Sequence, residues 1–275
     1  MSNFLSNMNN LQQRLIVGFA GAAGIITGVC LNQWSYFILF SIICFFSLRE
    51  FHGLVNSAGV MTNRFFGMLL GMILYIVSFF VVTGFLQPSV YLLFFALVFL
   101  LFLIELFQSY EKPFERTAFS FLAIVYTALP YALLHYAVIR NGEYQYKIIL
   151  GILLLLWAND TGGYFGGRYL GKHKLYERIS PKKTWEGSIS GGLLSLVIAA
   201  CIWHFSQSLG LWQWIGLALI IVVIGSLGDL VESQLKRSLS IKDSGSSLPG
   251  HGGFLDRFDG LIISIPFIVV YFELV

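Results

Sequence analysis

Charge is the first thing this sequence lacks. Of its 275 residues, 11% are Asp, Glu, Lys or Arg, whereas a soluble domain carries about 25%. Most of its apolar runs have no polar face, which excludes a large soluble helical core, because surface helices there would need one. Cysteine is scarce too. Cys30, Cys44 and Cys201 each lie within an apolar run and none belongs to a CxxC pair, so a disulfide framework or a zinc site is not expected, and small packing residues are. Neither GxxxxGK[ST] nor HExxH occurs, which removes the P-loop and the helical zinc-protease motif. There is no internal repeat or low-complexity tract. Aspartate is missing from the first 159 residues and then appears five times: Asp160, Asp229, Asp243, Asp256 and Asp259.

What the chain has is apolar length; 57% of it is hydrophobic. The expected fold class is all-α, a polytopic integral membrane protein with about nine transmembrane helices, near 14–31, 34–50, 64–84, 88–108, 118–139, 146–166, 187–207, 209–232 and 258–275. Only Asn32 and Gln33 separate the first two, so they form a tight hairpin or a bent pair. The small residues of "AGAAG" fall early in the first run, whereas a signal peptide places them after a short apolar region, so a retained first helix is expected. With nine spans, fifteen Lys and Arg fall on one side and only Arg140 and Lys147 on the other. By the positive-inside rule the rich side is the cytoplasm and so is the N-terminus. The organisation expected is five structural spans over 1–140 and a catalytic membrane region over 141–275. The two longer polar loops of that region, 167–186 and 233–257, are cytoplasmic, where nucleotides are.

Acids placed in such a chain are informative. Glu105 and Glu273 lie near span ends and can snorkel to water. Asp160 and Asp229 lie inside or at the edge of apolar spans, where a carboxylate is costly and is either functional or paired with a loop cation. Asp256 and Asp259 are three apart and share a face if the last helix starts near Leu255. With Asp229 and Glu232 ending the preceding span, they could hold a divalent cation through oxygen ligands; alternatively, one of the two caps a helix N-terminus. Lys236, Arg237, Lys242 and Arg257 interleave these acids, and Lys172, Lys174, Lys182 and Lys183 crowd the other loop. Anionic lipid attracts such clusters, but acids, bases and glycines at one depth suggest phosphate together with metal. His135 and His204 lie alone in apolar spans and read as packed or hydrogen-bonded rather than as ligands.

The run Ser233 to Asp259, "SQLKRSLSIKDSGSSLPGHGGFLDRFD", resembles the signature of the phosphatidate cytidylyltransferases, the CDP-diacylglycerol synthases. Ser233, Lys236, Arg237, Lys242, Asp243, His251, Gly252, Gly253, Asp256, Arg257 and Asp259 all match it. Upstream, "NDTGGYFGGRYLGKHKLYERISPKKTWEG" is similar to the family's second cytoplasmic segment. Over the first 140 residues the likeness is one of hydropathy only. The resemblance implies an enzyme of phospholipid biosynthesis in the cytoplasmic membrane, which turns CTP and phosphatidic acid into CDP-diacylglycerol and pyrophosphate with Mg²⁺, through two cations and as a homodimer, with no nucleic acid partner. It implies metal-binding roles for Asp229 and Asp256, with Asp259 a neighbour and Glu232 in support. Lys236, Arg237, Lys242 and Arg257 would clamp phosphates, with Asp243 and His251 counted among the catalytic residues. Asp160, Lys182, Lys183, Gly252 and Gly253 would help bind the nucleotide. The rival readings are a CTP-dependent lipid kinase and a membrane transporter.

Overall fold

The computed structural model describes residues 10–241 and 252–275, with side chains from Gly18 onward. Lys242, Asp243 and His251 lie outside the described residues. Among the described residues the chain forms nine helical rods: α1 (Asn10–Leu31), α2 (Gln33–Ser57), α3 (Arg64–Val82), α4 (Val90–Leu106), α5 (Pro113–Val138), α6 (Tyr146–Leu170), α7 (Trp185–Ser206), α8 (Leu211–Ser238) and α9 (Leu255–Leu274). Six of them, α2, α3, α5, α6, α7 and α8, are long and apolar enough to cross a membrane. The stretch Gly18–Leu31 of α1 and all of α4 are shorter apolar helices. In lipid a chain has to satisfy its own backbone, and the helix does so within one segment. Leu92, Phe99, Phe205 and Trp212 point outward from the bundle, as side chains facing acyl chains do.

Asn32 breaks α1 from α2. Its Oδ1 accepts the N–H groups of Trp34 and Ser35, and the Ser35 hydroxyl oxygen accepts the Asn32 N–H, a reciprocal cap that starts α2 at once. The two helices pack together as a tight hairpin. Inside the bundle, Tyr36, Phe40, Phe51, Tyr75, Tyr131 and Trp214 are fully buried. His135 is buried among them, its Nδ1 3.0 Å from the Tyr36 hydroxyl.

Several boundaries differ from those read in the sequence. Helix α2 continues to Ser57 and α6 to Leu170, and α8 continues to Ser238, so Lys236 and Arg237 are helical rather than in a loop. The polar connections shrink to 171–184 and 239–254. The first holds a hairpin, β3 (Lys174–Tyr176) paired antiparallel with β4 (Ser180–Thr184); a smaller one, β1 (Ile139–Arg140) with β2 (Glu143–Tyr144), joins α5 to α6. These hairpins are minor exceptions to an all-α reading. Two helices contain a π turn, Ile124–Ala128 in α5 and Ile221–Gly225 in α8. Pro130 of α5 lacks the N–H that would bond the Tyr126 carbonyl, and the wider turn lies just before it.

Glu105 does not snorkel. It is 4% exposed, accepts a hydrogen bond from Asn63 Nδ2 at 2.9 Å and lies 3.6 Å from Arg116 Nε. The Arg116 guanidinium in turn covers the Tyr110 ring. His204 is exposed on α7, with its ring set edge-on to that of Phe205.

Candidate active site

Helices α6 and α8 end, and α7 and α9 begin, at the same end of the bundle. Glycine sets how closely these rods approach. A Cβ on Gly162 of α6 would lie 2.8 Å from the Gly191 Cα of α7, and one on Gly187 would lie 2.8 Å from the Gly163 carbonyl oxygen. This is the small-residue packing that brings membrane helices together. The run "GGYFGG" is therefore helix surface, not a phosphate loop. Helices α8 and α9 cross in the same way: a Cβ on Gly228 would lie 3.0 Å from the Asp259 carbonyl oxygen and 3.3 Å from the Gly260 Cα. The π turn just upstream re-aims the second half of α8, so that Asp229 and Glu232 face Asp256 and Asp259 across that crossing.

Between these elements lies a cavity of about 1350 Å³. Asp160 and Arg168 of α6, Lys182 and Lys183 of β4, Asp229, Glu232 and Lys236 of α8, and Asp256, Arg257 and Asp259 of α9 all line it. Its other walls are apolar and glycine-rich, from α1 (Gly21, Gly24, Ile25) and α2 (Leu39, Ile42, Ile43). Of the candidates read in the sequence, the structure thus gathers Asp160, Lys182, Lys183, Asp229, Glu232, Lys236, Asp256, Arg257 and Asp259 on one surface. Arg237 is exposed elsewhere, because successive helical positions do not share a face. Gly252 and Gly253 are not in the lining. Gly252 takes a φ of +82°, a left-handed conformation suited to glycine. The Gly253 N–H donates to Asp256 Oδ2 at 3.2 Å and so is engaged by the protein's own carboxylate.

The charges meet in specific pairs. Lys183 Nζ lies 2.7 Å from Asp229 Oδ2 and donates to the Ser226 carbonyl at 3.1 Å. Asp229 therefore has the loop-cation partner that a carboxylate in a span calls for. Lys236 Nζ bridges two acids, lying 2.6 Å from Asp256 Oδ1 and 3.3 Å from Glu232 Oε1. Glu232 is 1% exposed, a depth at which a carboxylate requires a partner. Asn159 Nδ2 donates to the Ser226 hydroxyl at 3.2 Å and ties α6 to α8 beneath Asp160. The helix-cap reading of Asp256 and Asp259 does not hold for the first N–H of α9. That group, on Leu255, is capped by Glu50 of α2.

The fit to a metal ion has two sides. The acids offer only oxygen, the donor a hard divalent cation takes, and the Lys236 ammonium between Glu232 and Asp256 marks a point where positive charge is stabilised. Among the described residues, however, no three Asp, Glu, His or Cys side chains are grouped to hold an ion; Lys236 stands between Glu232 and Asp256, and Lys183 engages Asp229. The residue types fit, and their present pairing engages them with one another.

Sequence reading passed over Glu50, Arg168 and the Asn159–Ser226 pair. Glu50 had the same signal as Asp160 and Asp229, a carboxylate at the end of an apolar run, but no acid near it in sequence.

Known proteins resemble this chain closely. A phosphatidate cytidylyltransferase of Staphylococcus haemolyticus is 38% identical over 172 residues, covering 62% of this chain and 65% of the relative. One of Bacillus subtilis is 42% identical over 160 residues, covering 56% and 58%, and one of Staphylococcus aureus (strain COL) is 40% identical over 154 residues, with the same coverage. The chain thus spans somewhat less than two thirds of the length of these relatives. The cytidylyltransferase family model matches residues 12–275, nearly the whole chain and every element around the cavity, and the chain belongs to that family.

Proposed function

We propose that the chain transfers a cytidylyl group from CTP to phosphatidic acid, forming CDP-diacylglycerol and releasing pyrophosphate. The observation that carries this reading is the cavity itself, which combines a floor of interleaved acids and bases with apolar walls from α1 and α2. One substrate is a polyphosphate and the other a lipid. The name shared by the Staphylococcus and Bacillus relatives supports the same reading.

In the proposed reaction a phosphate oxygen of phosphatidate forms a bond to the α-phosphorus of CTP. The bond from that phosphorus to the oxygen bridging to the β-phosphate breaks, and pyrophosphate takes the electron pair. Such transfer depends on positioning and charge neutralisation more than on covalent chemistry by the protein. Lys182, Lys183, Lys236 and Arg257 bind phosphate oxygens, and Arg168 and Asp160 flank them. Lys183 and Lys236 are held by carboxylates before substrate arrives, which limits the ordering that binding requires. Mg²⁺, as one or two cations, when bound supplies neutralisation of the polyphosphate charge, and Asp229, Asp256, Asp259 and Glu232 are the residues that would hold it. Lys242, Asp243 and His251 belong to the same proposal.

The proposal includes nine spans, an N-terminus and cavity mouth on the cytoplasmic side, and a homodimer. It is tested with purified protein in detergent, labelled CTP and phosphatidate. CMP-containing lipid plus pyrophosphate is the expected product. Phospholipid plus CDP would make the chain a lipid kinase, and no CTP-dependent product from folded protein would overturn the function. A transporter is disfavoured because the charged groups gather at one end of the bundle, whereas transporters place theirs near mid-membrane.

A further inference from the structure

Helix α9 carries Asp256, Arg257 and Asp259 in its first turn and a half, yet it lacks a cap of its own. The residue before it, Phe254, has no side-chain oxygen, and no side chain from that position bonds the first turn. A buried helix start with unpaired N–H groups is costly. The missing acceptor comes from 205 residues away: Glu50 Oε2 of α2 accepts the Leu255 N–H at 2.9 Å. Glu50 is 5% exposed and Leu255 fully buried. One turn earlier on the same face of α2, the Phe46 ring stacks on Phe254, with centroids 5.0 Å apart and planes 12° apart. The negative carboxylate also suits the positive end of the helix dipole.

We infer that Glu50 is a positioning residue for the candidate site: through the Leu255 N–H it fixes where α9 begins, and so where Asp256, Arg257 and Asp259 stand relative to Lys236 and Glu232. The contact is adjacent to the site without entering it. Asp256 follows Leu255 directly, and Glu50 is not among the residues lining the cavity. From the other side, Lys236 and the Gly253 N–H hold Asp256. The first turn of α9 is thus held from α2 as well as from α8, and Glu50 supplies a polar contact on the α2 side. This assignment of a positioning role rests on the proposed cytidylyl transfer, but its geometric part does not.

The test uses full-length protein with Glu50→Ala and Glu50→Gln, read two ways. Amide hydrogen exchange over 253–260 reports the anchor whether or not the chain turns over CTP. Glu50→Ala is expected to speed exchange there and leave α4 unchanged, while Glu50→Gln, whose amide oxygen can still accept, restores most of the protection. In the cytidylyl-transfer assay, Glu50→Ala is expected to lower kcat about tenfold to a hundredfold with little change in KM for CTP, since small misplacements of reacting groups act on the transition state; Glu50→Gln recovers most of the rate. Unchanged exchange over 253–260 in Glu50→Ala overturns the anchor. Altered exchange with wild-type kcat overturns the positioning role, as does a Glu50→Gln no better than Glu50→Ala. A wild-type protein without turnover overturns the proposed function alone, and the exchange data still decide the anchor.

Discussion

Lys183 and Asp229 meet at 2.7 Å, one on a β-hairpin outside the bundle and the other on a membrane helix. Their contact docks the 171–184 connection onto α8. Lys183→Met and Asp229→Asn should each lower CTP-dependent turnover by about a hundredfold or more, the scale of losing one charge-stabilising group. Because the two side chains hold each other, the double variant should fall well short of the product of the single effects. Steady-state kinetics on the four proteins measures the coupling, and fully multiplicative losses would show that the residues act independently.

Chelation should stop turnover, and added Mg²⁺ should restore it. If Asp256 serves the cation, Asp256→Asn should raise the Mg²⁺ concentration needed for half-maximal rate. Arg237→Gln, outside the cavity, should leave that concentration unchanged. A Mg²⁺ titration of each variant reads this directly, and an Asp256→Asn curve that overlays the wild type would remove Asp256 from the metal set.

Gly228→Ala should harm both stability and rate. The new methyl would sit 3.0 Å from the Asp259 carbonyl and 3.1 Å from the Ile263 Cβ, and neither can yield without moving α9. Overpacking of this kind costs about 1–3 kcal/mol. Thermal unfolding in detergent should show the loss. Gly21→Ala, which meets nothing within 4 Å, is the control that should unfold like the wild type.

Arg116→Met should destabilise the N-terminal half by about 3 kcal/mol, because it leaves the Glu105 carboxylate buried without its cation. The double variant Glu105→Leu/Arg116→Met should recover much of that loss. Equal melting of the single and double variants would mean that Asn63 alone satisfies Glu105.

Orientation can be tested with single cysteines. In a background without Cys30, Cys44 and Cys201, Asn141→Cys between β1 and β2 should react with an impermeant thiol reagent added to intact cells, and Lys174→Cys in β3 only after permeabilisation. The reverse pattern would invert the topology.

The helical rods were legible because a span of about 20 apolar residues leaves its backbone little choice. The ends were not: Lys236 and Arg237 read as loop because they are charged, yet α8 carries them as helix, with Lys236 directed onto Glu232 and Asp256. Asp160 and Asp229 stand out in the sequence because a carboxylate within an apolar run is costly, and both line the cavity. The pairing of Asp229 with Lys183 was open to a general expectation of a loop cation, but its choice of partner depends on how β4 folds back. Glu50 shows the limit most clearly. Its partner is a backbone N–H 205 residues later, and no local pattern announces a contact of that range. Of the two π turns, the one in α5 has a local sign in Pro130, whereas no proline marks the one at Ile221–Gly225 in α8.

The Lys183–Asp229 pair and the Lys236 bridge have a further consequence when the whole wall is considered. Among the described residues that line the cavity, Asp160, Asp229, Glu232, Asp256 and Asp259 stand against Arg168, Lys182, Lys183, Lys236 and Arg257. The two signs are interleaved rather than sorted to opposite walls, and Lys183 and Lys236 are already engaged by carboxylates. Under the proposed function, a polyphosphate entering such a chamber would have to exchange partners at short range, taking the lysines from the acids that hold them. The acids so released would then face whatever cation the polyphosphate carries.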